Sequence, residues 1–206
     1  VGAQVLKGIT EYAEDAGVAR PSYPDPETGS LPSSGGFLAQ SHVGQNGDPL
    51  AKLAEFDRIL RSGVGNRVDV AVIKLCYADI RSGDDPVAVF QAYRRTLSAL
   101  ERDYPQVTFL YATEPVVMAN DSDGPNNVPR AVFNDLMRTE YAKTGRLWDV
   151  AAIESSTTAG RVVTGTYQGK VVAALNPEFA SPDQRHITGP GPKAVAGPLL
   201  ELIAKG

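Results

Sequence analysis

Cysteine is nearly absent from this sequence. Cys76 stands alone, so the chain can form no internal disulfide and no cysteine-based zinc cluster. Histidine is almost as scarce, limited to His42 and His186. No apolar run approaches the roughly 20 residues that a membrane span needs. No charged stretch leads into an apolar one in the manner of a signal peptide. Positive charge is in deficit: 20 Lys and Arg stand against 24 Asp and Glu, a net charge of −4. That balance argues against a nucleic-acid binder, which carries a basic face. A phosphate-cradling glycine loop of the P-loop type is missing, as are internal repeats and low-complexity tails.

What is present is ordinary globular composition, 42% hydrophobic and 21% charged over 206 residues, which suits one domain with a full core. Residues 1–17 read as a helix, with Val5, Ile9 and Ala13 at i, i+4 spacing and Gly17 as its stop. Residues 18–35 are rich in Pro, Gly and Ser and read as a loop. A short apolar run at 37–40 reads as a strand. Asp48-Pro49 and Asp85-Pro86 each pair an N-cap with a first-turn proline, and predict helices over 50–60 and from 86 to about 104. Pro129 opens another helix, to about 144, and 189–204 closes the chain as a last one. The apolar runs 68–75, 107–113 and 147–153 read as strands buried on both faces. Strands alternating with helices imply βαβ units and a mostly parallel sheet. The stretch 162–174 breaks that rhythm. Two β-prone segments flank Gln168-Gly169, which predicts a small hairpin insertion near the rim.

In such sheets a ligand sits beyond the carboxyl ends of the strands. The clearest chemistry there is Asp183-Gln184-Arg185-His186, in the loop before the last helix. A neutral imidazole can take a proton from a nucleophile, and a carboxylate three residues earlier can hold its ring in one tautomer. An exposed loop histidine with a chance aspartate is the bland alternative. The scarcity of histidine and the loop's place in the fold favour the functional one. The second histidine lies in Ser41-His42-Val43-Gly44-Gln45-Asn46-Gly47-Asp48. Gly44 and Gly47 allow tight turns with exposed N–H groups, and Asn46 adds a side-chain amide, so the segment can serve an oxyanion. A plain connection capped by Asp48 explains it equally well. A third segment, Lys74 to Asp79, ends the central run. Its lysine needs a partner or an open edge, and its cysteine reads as a small buried hydrophobe.

Taken in order, these blocks resemble an SGNH (GDSL-like) hydrolase. That family carries a Ser after the first strand, a Gly after the second, an Asn after the third and D-x-x-H before the last helix. Asp183 and His186 match the last block, and Gly44 sits where the second belongs. Cys76-Tyr77-Ala78-Asp79 occupies the third, where only Asp79 matches and Ala78 replaces the oxyanion Asn. The opening Val1-Gly2-Ala3 looks like the helix start that follows the nucleophile in a branch with a Ser-Val-Gly block. On this resemblance residues 1–206 form a single three-layer α/β/α, flavodoxin-like domain. The nucleophilic Ser and the first strand would then lie in a preceding N-terminal segment of the same protein.

The resemblance implies a serine-type ester hydrolase, acting on an acyl or acetyl ester of a small molecule or glycan, with no metal or organic cofactor. His186 would be the base and Asp183 its orienting carboxylate. Val1, Gly2, Gly44 and Asn46 would hold the oxyanion, with His42, Tyr77 and Asp79 on the substrate side. The resemblance also suits an extracellular or periplasmic bacterial enzyme. The alternative is a non-catalytic relative that binds a ligand or carbohydrate, which Ala78 favours.

Overall fold

The computed structural model describes residues 2–205. The chain alternates helices and strands in the order α1 (Gly2–Asp15), α2 (Pro49–Arg61), β1 (Val70–Ile73), α3 (Pro86–Asp103), β2 (Thr108–Ala112), α4 (Asn127–Tyr141), β3 (Leu147–Trp148), α5 (Val150–Ser155), β4 (Thr164–Tyr167), β5 (Lys170–Ala173) and α6 (Gly191–Ile203). The capping signals act as read. The Asp48 carboxylate accepts from the Ala51 amide at 2.9 Å, and that of Asp85 from Val87 and Ala88. No described helix is long and apolar enough to cross a membrane.

β1, β2 and β3 form a parallel sheet in that order, with Val70 opposite Thr108 and Tyr111 opposite Leu147. Side chains of successive strand residues point to opposite faces, and each face has its own core. Ala71, Ile73, Phe109 and Tyr111 pack with Leu53 of α2, Leu97 of α3 and Phe133 of α4. On the other face Leu110 and Ala112 meet Val5 of α1, Ala151 of α5 and Val195 of α6. The three-layer α/β/α architecture is therefore the one expected. β4 and β5 pair antiparallel around Gln168 (φ 51°) and Gly169 (φ 80°), both left-handed as a tight hairpin turn requires.

Two expected strands differ. The run 147–153 keeps only Leu147–Trp148 as strand, because the Asp149 side chain accepts from the Ala152 amide at 3.1 Å and starts α5 instead. Residues 37–40 form no strand; the Gln40 amide donates to the Pro24 carbonyl at 3.1 Å. Between this segment and β1 lies a cavity of about 840 Å³, walled by Leu38, Gln40, Val70 and Val72, with Gly2 and Val5 of α1 also lining it.

β1 pairs only with β2 among the described residues. The Thr108 amide donates to the Asp69 carbonyl at 2.8 Å. Backbone polar groups along a parallel strand alternate between its two neighbours. Those of Val70 and Val72 therefore face the cavity.

Candidate active site

The loop carrying Asp183 and His186 is built as a small antiparallel stem. Ala180 bridges Ile187, the Ser181 amide donates to the His186 carbonyl at 2.8 Å, and the buried Phe179 and Ile187 anchor the stem in the core. Gln184, with φ at 63°, turns the tip. The Met118 amide ties the tip to the segment after β2 by donating to the Gln184 carbonyl at 3.0 Å.

Asp183 and His186 meet at this tip. Oδ1 of Asp183 accepts from the backbone amides of Arg185 and His186, each at 3.0 Å, and from the Ser181 hydroxyl. Oδ2 lies 2.5 Å from Nδ1 of His186. Partial burial works against ionisation of the Asp183 carboxyl. The hydrogen bonds from Ser181, the His186 ring and the two amides outweigh it and hold the group well below the usual carboxylate range. An ionised acceptor at Nδ1 assigns the proton to that nitrogen and leaves the lone pair on Nε2. Nε2 makes no hydrogen bond among the described residues, and the imidazole side chain is 36% exposed. A base with an oriented ring and an accessible lone pair can deprotonate a hydroxyl.

Around the imidazole stand Tyr77, with ring centroids 5.6 Å apart, and Arg185, which reaches away to Asp121 and Ser122. Arg185, Asp121 and the fully buried Arg130 were not singled out in the sequence. The signal available was weak: an arginine beside the histidine and an acidic loop 64 positions away.

The remaining sequence candidates make no hydrogen bond to the Asp183–His186 pair among the described residues. Gly2 opens α1 and is exposed; Val1 lies outside the described residues. Asn46 is exposed, and its Oδ1 accepts from Lys52 Nζ at 2.9 Å, which leaves its amide nitrogen for a ligand. Gly44 departs from the expected role. Its amide already donates to Glu55 at 2.8 Å, so it has no proton to offer an oxyanion in this arrangement. Asp79 departs from its expected role as well. It is fully buried, and it accepts from Lys52 Nζ and from the amides of Gly47 and Cys76. It ties the 44–48 turn to the end of β1 and cannot touch a substrate. His42 is exposed and makes no hydrogen bond to the Asp183 loop among the described residues.

Beneath the site lies a buried set of charges. Burial pushes the Glu154 carboxyl up to about 7, against the pull of Lys74, and raises Glu114 well above its usual range. Burial lowers the Lys74 ammonium, whose Nζ donates to the Leu75 carbonyl at 2.8 Å. Glu154 accepts from the Val116 amide and Glu114 from Ile80, so these acids brace the strand ends that carry the site loops.

A parallel sheet between two helical layers is a three-layer α/β/α fold. Solved structures share that fold. A protein of Bacteroides fragilis assigned as an acylhydrolase superposes with a TM-score of 0.57 at 17% identity, over 82% of this chain and 74% of its own. A Streptococcus pneumonia protein assigned as a platelet activating factor gives 0.57 at 15% identity, over 80% of this chain and 72% of its own. At such identities the likeness fixes the fold. No family model matches the sequence, and no curated protein matches it.

Proposed function

We propose that this protein is a serine-type ester hydrolase in which His186 is the general base and Asp183 holds it. The observation that carries the reading is the 2.5 Å contact between Asp183 Oδ2 and His186 Nδ1, which leaves Nε2 without a hydrogen bond among the described residues. A fold shared with a protein assigned as an acylhydrolase supports it.

The nucleophile is a serine hydroxyl at the end of a strand that leads into α1. The cavity beside β1 supports this placement. It is bounded by an unpaired sheet edge and opens on Gly2, so a strand laid there would pair the groups of Val70 and Val72. A buried backbone group left unpaired costs about 1–3 kcal/mol. In the reaction the hydroxyl oxygen attacks the ester carbonyl carbon while His186 Nε2 takes the hydroxyl proton. The carbonyl oxygen becomes an oxyanion, held by the first amides of α1, where the helix dipole favours negative charge. The Asn46 amide is the second donor. Collapse breaks the bond to the leaving alkoxide, which takes the proton from the imidazolium. Water then repeats the sequence on the acyl-enzyme.

The rim supports a hydroxylated leaving group. Ser181 hydrogen-bonds Asp183, and Arg185 reaches from the same tip to Asp121 and Ser122; such polar surroundings suit an acetylated carbohydrate better than a long acyl chain. Turnover of p-nitrophenyl acetate by the complete protein tests the activity. His186→Ala is expected to lose about 10³-fold or more in kcat. Wild-type turnover in that variant defeats the assignment. Faster release from an acetylated sugar than from long-chain p-nitrophenyl esters is the expected preference.

A further inference from the structure

Asp183 alone does not fix the plane of the imidazole. One hydrogen bond at Nδ1 leaves the ring free to swing about that contact, and a third of the side chain faces solvent. The missing constraint is aromatic. The Tyr77 ring stands at 82° to that of His186, in the edge arrangement that aromatic pairs favour.

Tyr77 is itself held. The Arg130 guanidinium lies 5.8 Å from its ring centroid. Arg130 is fully buried, pairs with Asp123 and donates to Asn127 at 2.9 Å, so this cation has no freedom to move aside. Near the phenol lies Arg185, its Nε at 3.1 Å from both carboxylate oxygens of Asp121 and its NH2 at 3.0 Å from Ser122. Asp121, Ser122 and Asp123 are consecutive. A single loop therefore anchors both guanidinium groups around the one phenol. Burial pushes the phenol pKa up against the pull of Arg185, so the ring stays neutral through the pH range of a histidine base.

We propose that Tyr77 is a positioning residue: held by Arg130 and Arg185, its ring sets the plane of the His186 imidazole and so the direction in which Nε2 takes its proton. This rests on the reading of His186 as the base. It replaces the substrate contact expected for Tyr77 from the sequence.

The test combines proton NMR with kinetics. The chain has two imidazoles, and the exposed His42 is an internal reference. In the wild type the carbon-bound ring protons of His186 are expected to be displaced by the Tyr77 ring current. Tyr77→Ala is expected to move them toward the His42 positions. The same variant is expected to lower kcat on p-nitrophenyl acetate by roughly 10–100-fold through misorientation of the base, with KM changed less than about threefold. Tyr77→Phe keeps the ring and is expected to restore both the shifts and most of kcat.

Unmoved His186 resonances or an unchanged kcat in Tyr77→Ala overturn the proposal. A loss in Tyr77→Phe equal to that in Tyr77→Ala does so too, since it transfers the role to the hydroxyl. A wild type without turnover defeats the hydrolase reading and the catalytic purpose of the clamp. The resonance shift then still separates a held imidazole from a loose one.

Discussion

Among single residues, Asp183 carries the most chemistry for its size. Its carboxylate is satisfied on both oxygens before any substrate arrives, and its low pKa keeps it ionised well into the acid range. A group whose folded pKa is depressed adds stability that is present above its unfolded pKa and lost as pH falls through the folded one. Between pH 7 and pH 4, therefore, this carboxylate does not switch off. Asp183→Asn is expected to lower kcat by about 10²–10⁴-fold, because the ring loses its tautomer, while the unfolding midpoint at pH 7 moves little for a half-exposed side chain. Stopped-flow turnover and chemical denaturation read the two effects separately.

Lys52 and Asp79 behave in the opposite way. Their side chains are 7% and 0% exposed, so Lys52→Met strands a buried charge and is expected to lower stability by about 3–5 kcal/mol, read from urea unfolding. D-x-x-H was legible in the sequence because both residues lie on one loop. The Asp79 tie was not, because its partners come from a turn and a helix some 30 positions earlier.

At the scale of elements, legibility followed local chemistry. α2 and α3 were readable because an aspartate and a proline mark each start, and Asp85→Ala is expected to cost about 1 kcal/mol by loss of the cap, measured as a shift in thermal midpoint. The end of β3 was not readable. Val150-Ala151-Ala152-Ile153 is a short apolar run whose periodicity suits a buried strand or a buried helix alike. Asp149 decides for the helix, held by Arg138 at 2.7 Å and by the Thr113 hydroxyl at 3.0 Å, partners that no local pattern reveals. Segment 37–40 shows a different limit: apolar and β-prone, it has no neighbour to pair with. α1 and α6 meet so closely that a Cβ on Gly8 would stand 2.1 Å from the Pro192 carbonyl oxygen. Gly8→Val must separate the two helices, at an expected cost above about 1–3 kcal/mol from overpacking, seen as a drop in the denaturation midpoint.

For the whole molecule, the buried acids govern the response to pH. Glu154 and Glu114 both have folded pKa values raised by burial, Glu154 to about 7. A raised folded pKa adds stability that is complete below the unfolded value and lost as pH rises through the folded one. The folded state holds protons that the unfolded chain has already released. Stability is therefore expected to fall between about pH 4.5 and pH 7 as far as Glu154 decides it, and Glu114 acts in the same direction. Glu154→Gln removes one titration and is expected to flatten the decline in thermal midpoint across that window; an unchanged slope contradicts the assignment. The layered plan was legible from alternating runs, whereas the buried acids Glu114 and Glu154 were not. Their burial depends on loops packed over them from distant parts of the chain.

Gly8 resting on Pro192, with Lys193 paired to Asp15, has a consequence for how the molecule is made. α1 finds its packing surface only in α6, 178 positions later between Asp15 and Lys193. The face of the sheet beneath α1 must wait for α6 to be made before that pair can close over it. Contacts between residues so far apart in sequence form slowly, so a nascent chain halted before residue 190 is expected to remain open to protease on that side while α2 and α3 already resist it.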